Sequence, residues 1–399
     1  MLRTLLTILM IATLAIVNAK DIKVIDSTDN SPLAGASVIS SNGMIIGITD
    51  NEGKIKVENR DFPLTIRYMG YRSAQASAKD ATISLQPEDY ELPDVVISSA
   101  GRPITRVQTY MREYSTGSTP TDTLQLFNEY VVEYFLADGK VKGYSKGDAK
   151  AHVLAVRRRG RIYKSPDVDS VMQPRHEDEI NLLSMMSLEA YLPGDRFKET
   201  EAIKAGAKSD TVQGKYYPKI MFRKSNGIYE REYDALADHK NHVTSPMIAK
   251  IFGLTMDIDE ASKREIYKIE EGEDYGLQNY ISSSTTISFL GRGKMFKRIF
   301  SVQQPIRINS YIEQYPVEIT HLTVEEYKEQ KEQRKDKTAG TIKVQKPESL
   351  TPLSPAVEQL IERVDREVKE GEVLSNTLRG TSMSPYLPPI TDRIALAIC

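Results

Sequence analysis

From Ile22 to Ser98 the apolar residues return at every second position in short bursts: Ile22 and Val24, Ala36 and Val38, Ile46 and Ile48, Ile55 and Val57, Leu64 with Ile66 and Tyr68, Ala81 with Ile83 and Leu85, then Val95 and Ile97. A period of two sends alternate side chains to opposite faces of an extended chain. The spacing therefore predicts seven short strands, each with one face toward a core. Between the bursts lie Asp29-Asn30-Ser31-Pro32, Ser41-Asn42-Gly43, Asp50-Asn51-Glu52-Gly53, Asn59-Arg60-Asp61 and Gln86-Pro87, residues suited to tight turns. Strands this short, with turns this frequent, favour a small β-sandwich over a helical packing. A domain of about 80 residues buries a modest share of its surface, so its margin of stability is expected to be small.

The pattern changes at Arg102-Pro103. Up to Thr123 the chain is rich in Thr, Ser, Gly and Pro, with Ser115-Thr116-Gly117-Ser118-Thr119-Pro120 at its centre, and residues 101–125 read as a linker. Strand-like bursts then resume: Tyr130 to Phe135 ahead of Asp138-Gly139, Ala151 to Val156, Tyr216 to Phe222 ahead of Asn226-Gly227, Ile228 to Tyr233, Ser282 to Leu290, and Arg307 to Ile319. The two Asx-Gly pairs are hairpin signals. Residues 126–322 are thus expected to form a larger antiparallel, β-rich α+β domain.

A few helices interrupt this pattern. Glu179 to Leu192 is apolar over a wide face, and Ser245-Pro246 to Gly253 has a cap, a proline at the first helical position and a closing glycine. Thr323 and Glu326 have capping-box spacing ahead of a charged run to Lys337, which predicts a solvated helix. Ser354-Pro355 opens a helix with Val357, Leu360, Ile361, Val364 and Val368 on one face and Gly371 at its end. That apolar face must dock on the protein's own sheet or on a partner. Residues 323–399 are expected to be helices with a tail.

The first nineteen residues, MLRTLLTILMIATLAIVNA, have one charge at Arg3, an apolar run from Leu5 to Val17, and short residues at Val17 and Ala19. That layout is a secretory signal cleaved after Ala19, and the run falls short of the roughly 20 residues needed to span a bilayer. No later stretch approaches transmembrane length. The lone cysteine, Cys399, allows no intrachain disulfide, and no cysteine follows the signal to carry a lipid. A formal net charge of −2 gives no electrostatic argument for nucleic acid.

Three stretches in the first hundred residues resemble the carboxypeptidase regulatory-like domain. They are Pro32-Leu33-Ala34-Gly35-Ala36-Ser37-Val38, then Gly47-Ile48-Thr49-Asp50-Asn51-Glu52-Gly53-Lys54-Ile55, then Tyr68-Met69-Gly70-Tyr71. Leu92-Pro93-Asp94-Val95-Val96-Ile97 is similar to its closing strand, and Ile55 stands where the family usually has an aromatic. The resemblance implies a seven-stranded transthyretin-like or Ig-like β-sandwich over residues 20–100. It further implies an exported envelope protein of Bacteroidetes-type bacteria, periplasmic or at the outer membrane. It implies no peptidase activity, since the domain is an accessory of carboxypeptidases. The roughly 300 residues that remain are too few for a 22-stranded receptor barrel.

Few residues suggest chemistry. His239 and His242, with Asp238 beside them, could offer two imidazoles to a metal, with Asp234 or His321 as a third ligand, but nothing completes the set that zinc takes. A polar loop is the simpler reading, and no metal or cofactor is assigned. His176-Glu177-Asp178-Glu179 has carboxypeptidase-like ligand spacing without the third ligand or the parallel sheet, and suits the start of a solvated helix. Arg157-Arg158-Arg159-Gly160-Arg161 would face an anionic envelope polymer, or serve as a charged hairpin end that discourages edge pairing. No Gly-x-Ser-x-Gly elbow occurs, and Gly291-Arg292-Gly293-Lys294 is not a phosphate loop. Acidic Asp50-Asn51-Glu52-Gly53 lacks the calcium ligand ladder and reads as a corner.

These features favour a non-enzymatic envelope protein, its sandwich a spacer or docking module for a β-rich domain that binds a protein, glycan or lipid component. The alternatives are a secreted metal-dependent hydrolase using His176, His239, His242 or His321, and a periplasmic carrier of hydrophobic ligands.

Overall fold

In a computed structural model, the described residues are 19–88, 101–137, 139–145, 149, 152–166, 168–171, 200–213, 219–225, 227–234, 242–243, 253–268, 279–294, 296–297, 303–335, 346–347, 350–367 and 374–375. The chain is mainly β, with antiparallel sheets and few helices. It divides into two compact units at Glu88/Asp89. The expected helices over Glu179–Leu192 and Ser245–Gly253, the strand at Val95–Ile97 and the Cys399 tail lie outside the described residues, except that Gly253 itself is described.

The first unit is a sandwich of two sheets. Strands β1 (Ala19–Asp26), β4 (Lys54–Glu58) and β7 (Thr82–Leu85) form one, in the order β4-β1-β7. Strands β2 (Ser37–Ile39), β3 (Ile45–Ile48), β5 (Leu64–Arg67) and β6 (Ala74–Ala76) form the other, in the order β3-β2-β5-β6. Ile22, Val24, Val57, Ile83 and Leu85 from the first sheet meet Val38, Leu64, Ile66 and Ala76 from the second in one core. Ala74–Ala76 is a strand that the periodicity did not single out, because its alternation spans only three residues.

The sequence motifs of this unit are spent on its own backbone. The Thr49 hydroxyl donates to the Leu33 carbonyl at 2.5 Å and accepts from the Ala36 amide at 2.9 Å, clipping the Pro32–Val38 stretch to the β3–β4 hairpin. In the acidic turn, Asp50 Oδ1 accepts from the amides of Glu52 at 2.9 Å and Lys54 at 2.8 Å. Gly53 takes φ +72, and a Cβ there would sit 2.4 Å from the Val24 carbonyl oxygen. The Tyr71 hydroxyl donates to buried Asp26 at 2.6 Å.

The second unit is built on one twelve-stranded sheet. Its strands are β8 (Ile104–Ser118), β9 (Asp122–Ala137), β10 (His152–Lys164), β11 (Val168–Val171), β12 (Ser209–Gln213), β13 (Lys219–Ser225), β14 (Ile228–Asp234), β15 (His242–Val243), β16 (Leu254–Lys268), β17 (Tyr280–Gly293), β18 (Ile306–Leu322) and β19 (Leu374–Ser375). They run β11-β10-β9-β8-β18-β17-β16-β14-β13-β12, with β15 beside β16 and β19 beside β10. Ser225 pairs with Ile228, so β13 and β14 are the antiparallel neighbours that the Asn-Gly signal between them predicts.

One expectation for this region is corrected, and one strand went unread. The Thr- and Ser-rich stretch read as a linker is β8, at the heart of the sheet between β9 and β18. Threonine suits a pleated surface, and Tyr110, Met111 and Tyr114 bury the strand from both faces. Strand β16 went unseen because LTMDIDEASKREIYK is so charged. Its Arg264 and Glu265 are nevertheless buried, paired with Glu230 at 2.7 Å and Arg231 at 3.2 Å across the ladder from β14.

The two faces of the sheet are covered differently. Face 1 carries Val107, Met111, Tyr130, Val132, Tyr134, Phe222, Tyr229, Tyr267, Tyr280, Ile312 and Ile319 in a single core with Ile203 of the short helix α1 (Glu201–Lys204). Helices α2 (Val324–Lys335) and α3 (Pro355–Glu367) lie on face 2. Helix α2 has its capping box: the Thr323 amide donates to Glu326 at 2.7 Å, and the Glu326 amide to Thr323 Oγ1 at 3.2 Å. It is more than a solvated helix, because Tyr327 is fully buried against Phe135 and Tyr144. Helix α3 docks Val357, Leu360 and Val364 on β10 and β11, which answers what its apolar face covers. Among the described residues no helix is long and apolar enough to cross a membrane.

Substituting Gly53→Ala places a side chain in a left-handed conformation and against the Val24 carbonyl. It is expected to destabilise the first unit by about 2 kcal/mol or more. Hydrogen exchange should show amides of β1 and β4 losing protection while those of β8 and β18 keep theirs.

Candidate functional site

The described histidines do not assemble. His242 pairs with Ile258 on β16, which lies level with Phe289 and then Ile308 on β18. His321 pairs with Thr105 near the far end of β18, its ring Nδ1 3.2 Å from the Thr105 hydroxyl. Thirteen residues of strand separate Ile308 from His321, roughly 40 Å at the rise of an extended chain. Asp234 pairs with Ser262, four residues along β16 from the partner of His242, roughly 13 Å away. Neither proposed third ligand is placed beside His242, and His239 and His176 lie outside the described residues. Among the described residues no group of three or more His, Cys, Asp or Glu is placed to hold a metal ion.

The arginine cluster is at no hairpin end, since it occupies the middle of the thirteen-residue strand β10. Strand alternation divides it. Arg157, Arg159 and Arg161 project onto face 2, where they meet the C-terminal segment and β11. Arg159 reaches Glu129 at 2.7 Å and Asp365 of α3 at 2.7 Å, and Arg157 reaches Asp365 at 3.0 Å. Arg161 grips Asp169 through two nitrogens at 2.8 and 2.9 Å, and Arg363 of α3 adds a third contact to Asp169 at 3.0 Å.

Glu129 is the centre of this arrangement. It is 2% exposed and receives the Tyr110 hydroxyl at 2.8 Å, Arg159 at 2.7 Å and Lys346 at 2.6 Å. Burial pushes its carboxyl up, but the hydrogen bonds from Lys346, Arg159 and Tyr110 outweigh burial and hold it down at about 2. Next to it in the ladder, buried Arg112 bonds Glu313 and donates to the Thr351 carbonyl at 2.7 Å. The charges of face 2 thus fasten the segment from Lys346 to Glu367 onto the sheet.

Face 1 is different. Glu113, Asn128 and Arg158 share one register row across β8, β9 and β10. Glu113 is fully buried and accepts from Tyr130 at 2.9 Å, Asn128 Nδ2 at 3.1 Å and Ser115 at 3.0 Å. The Ser115 hydroxyl in turn lies 2.7 Å from that of Ser310. Asn128 Oδ1, and Nε and Nη2 of Arg158, are buried and have no hydrogen-bond partner. Further along the same face, Glu265 takes Arg231 at 3.2 Å and Lys263 at 3.5 Å, and burial pulls the Lys263 ammonium below its ordinary value despite that carboxylate.

The row Arg158–Asn128–Glu113 is the part of the described structure best arranged to bind something. It holds an unsatisfied cationic edge beside an unsatisfied carbonyl, with a carboxylate that accepts from Tyr130, Asn128 and Ser115. Its hydroxyls, those of Ser115 and Tyr130, both donate to buried Glu113, and the unpaired groups are a donor fork and an acceptor suited to recognition. Sequence reasoning saw Arg158 only as part of a cluster; counting alternate positions along a strand through Arg157–Arg161 was the signal that separates it.

No protein-family model matches the chain, and no curated protein does. Among solved structures, one of lipovitellin, on lipid–protein interactions in that protein, is similar over 56% of this chain and 26% of its own, at 9% identity and a TM-score of 0.29. The chain therefore spans about a quarter of that protein's length, and a likeness this low carries no argument about fold or function.

Glu129 has a folded pKa of about 2, below the ordinary 4.5. A depressed carboxyl stabilises the fold fully above its unfolded value and less as pH falls toward the folded one. The second unit is expected to lose on the order of 3 kcal/mol from this group between about pH 4.5 and 2. In Glu129→Gln, denaturant titrations across that range should show a shallower fall than in the parent protein.

Proposed function

We propose that this is a non-enzymatic, exported cell-envelope protein, in which the N-terminal sandwich is a spacer or docking module and the larger sheet is the binding domain. The observation that carries the reading is the contrast between the buried charges of the two faces. On face 2 they are paired with the protein's own C-terminal segment; on face 1 the Arg158 fork is left over beside Asn128. A group held ready to be paired, with no reacting constellation around it, supports binding over catalysis.

The sandwich fits the role of a module. Thr49, Asp50, Gly53 and Tyr71 are engaged in shaping its own backbone and core. Cleavage after Ala19 is compatible with the sandwich, because it removes only the Ala19–Glu58 pairing of β1 and leaves the Lys20–Val57 to Lys23–Lys54 register. The hydrophobic-carrier reading is less well supported, since Glu113, Arg158, Lys263 and Glu265 lie on the face that an apolar ligand would need.

Expressed with its full leader in a Gram-negative host, the protein is expected in the envelope or periplasmic fraction with Lys20 as its first residue by N-terminal sequencing. Retention of Met1 in the cytosol would overturn export. Stoichiometric zinc in the purified protein, lost in both His239→Ala and His242→Ala, would replace the binding reading with the hydrolase.

A further inference from the structure

We propose that Arg158 and Asn128 form the polar end of a site for the C-terminus of a peptide, holding its terminal carboxylate and the N–H that adjoins it. The inference rests on reading the larger sheet as a binding domain and names what it binds.

The two idle nitrogens of Arg158 are Nε and Nη2, which lie on one edge of the guanidinium with parallel N–H bonds. That edge matches the two oxygens of a carboxylate or phosphate. Leaving these two buried N–H donors unpaired is unfavourable, and an anion seated on the fork would relieve it.

Asn128 narrows the choice of anion. Its Nδ2 donates to Glu113 at 3.1 Å, which fixes the amide, because turning it over would aim Oδ1 at a carboxylate. Oδ1 therefore stays an acceptor without a donor. A ligand that satisfies both residues must bring two acceptor oxygens and, next to them, a hydrogen-bond donor. The carboxylate of an amino acid or of a peptide end has this pair. Hydrogen phosphate carries an O–H that can also donate to Oδ1, but its second negative charge would lie near buried Glu113.

The surroundings favour a peptide over a free amino acid. On its outer side β10 pairs with β11 only from Arg161 to Lys164, and with β19 only at Ala155 and Val156. Among the described residues, Arg157 to Gly160 therefore have no strand on that side, an edge of roughly 13 Å along which an extended peptide can pair.

The test is calorimetric titration of the purified mature chain with four probes: acetyl-Ala-Ala-Leu as the free acid, the same peptide as its C-terminal amide, free leucine, and inorganic phosphate. The acid is expected to bind, with the amide, leucine and phosphate each at least tenfold weaker. Arg158→Gln should weaken the acid at least tenfold and leave the melting temperature unchanged or higher, since the substitution removes a charge that no described residue pairs. The proposal is overturned by absence of binding, by equal affinity for amide, leucine or phosphate, by Arg158→Gln binding like the parent, or by a lowered melting temperature in that variant. Export and processing at Ala19 are read separately, so failure here leaves the envelope assignment standing and failure there leaves this site standing.

Discussion

The second unit depends on how a sheet that is buried on both faces treats its charges. Glu129, in the middle of β9, is withdrawn from water and could not remain ionised on that strand without Lys346, Arg159 and Tyr110 around it. A lone buried carboxylate is costly, and breaking such a pair costs more than forming it gains. The consequence is mutual: the sheet needs the C-terminal segment to neutralise its strands, and the segment needs the sheet to bury Val357, Leu360 and Val364. Arg112 with Glu313 and Thr351 repeats the arrangement one strand further on.

The two units reach stability by different means. The sandwich is short-stranded and apolar within, and its polar side chains mainly organise turns, as Thr49, Asp50 and Asp26 do. The large sheet uses strands of thirteen to seventeen residues at its centre, and its polar side chains act between strands. Against that background of matched charges, Arg158 stands out, since strand β10 presents its three other arginines to acidic partners, while the acid in the row of Arg158, Glu113, accepts from Tyr130, Asn128 and Ser115.

What could be read from the sequence follows the range of the interactions involved. Ile22/Val24 through Ile83/Leu85 announce strands because alternation is a local property, and Asn226-Gly227 and Ser354-Pro355 announce a turn and a helix start for the same reason. Strands β8 and β16 were not legible. In β8 the Ser-Thr-Gly run has the composition of a linker, and its strand character comes from β9 and β18 on either side. In β16 the charges that argue against burial are offset by Glu230 and Arg231, more than thirty residues earlier in the chain. The histidines were visible as residues, but whether they converge depends on strand register, which separates His242 from His321.

By itself, then, the sequence determined what nearest neighbours decide: a mainly β chain, a leader-like N-terminus, a turn at Asp50–Gly53 that only glycine closes, and the caps of two helices. Tertiary structure decided which strands adjoin, and hence which charges are satisfied. The run Arg157–Arg161 shows the division most plainly, because the sequence supplies four cations in a row of five and the pleat sends them to opposite faces. Only the neighbours brought there by folding make three of them structural and leave the fourth without a partner, since pairing a buried charge is a matter of a few ångströms in space and not of distance along the chain.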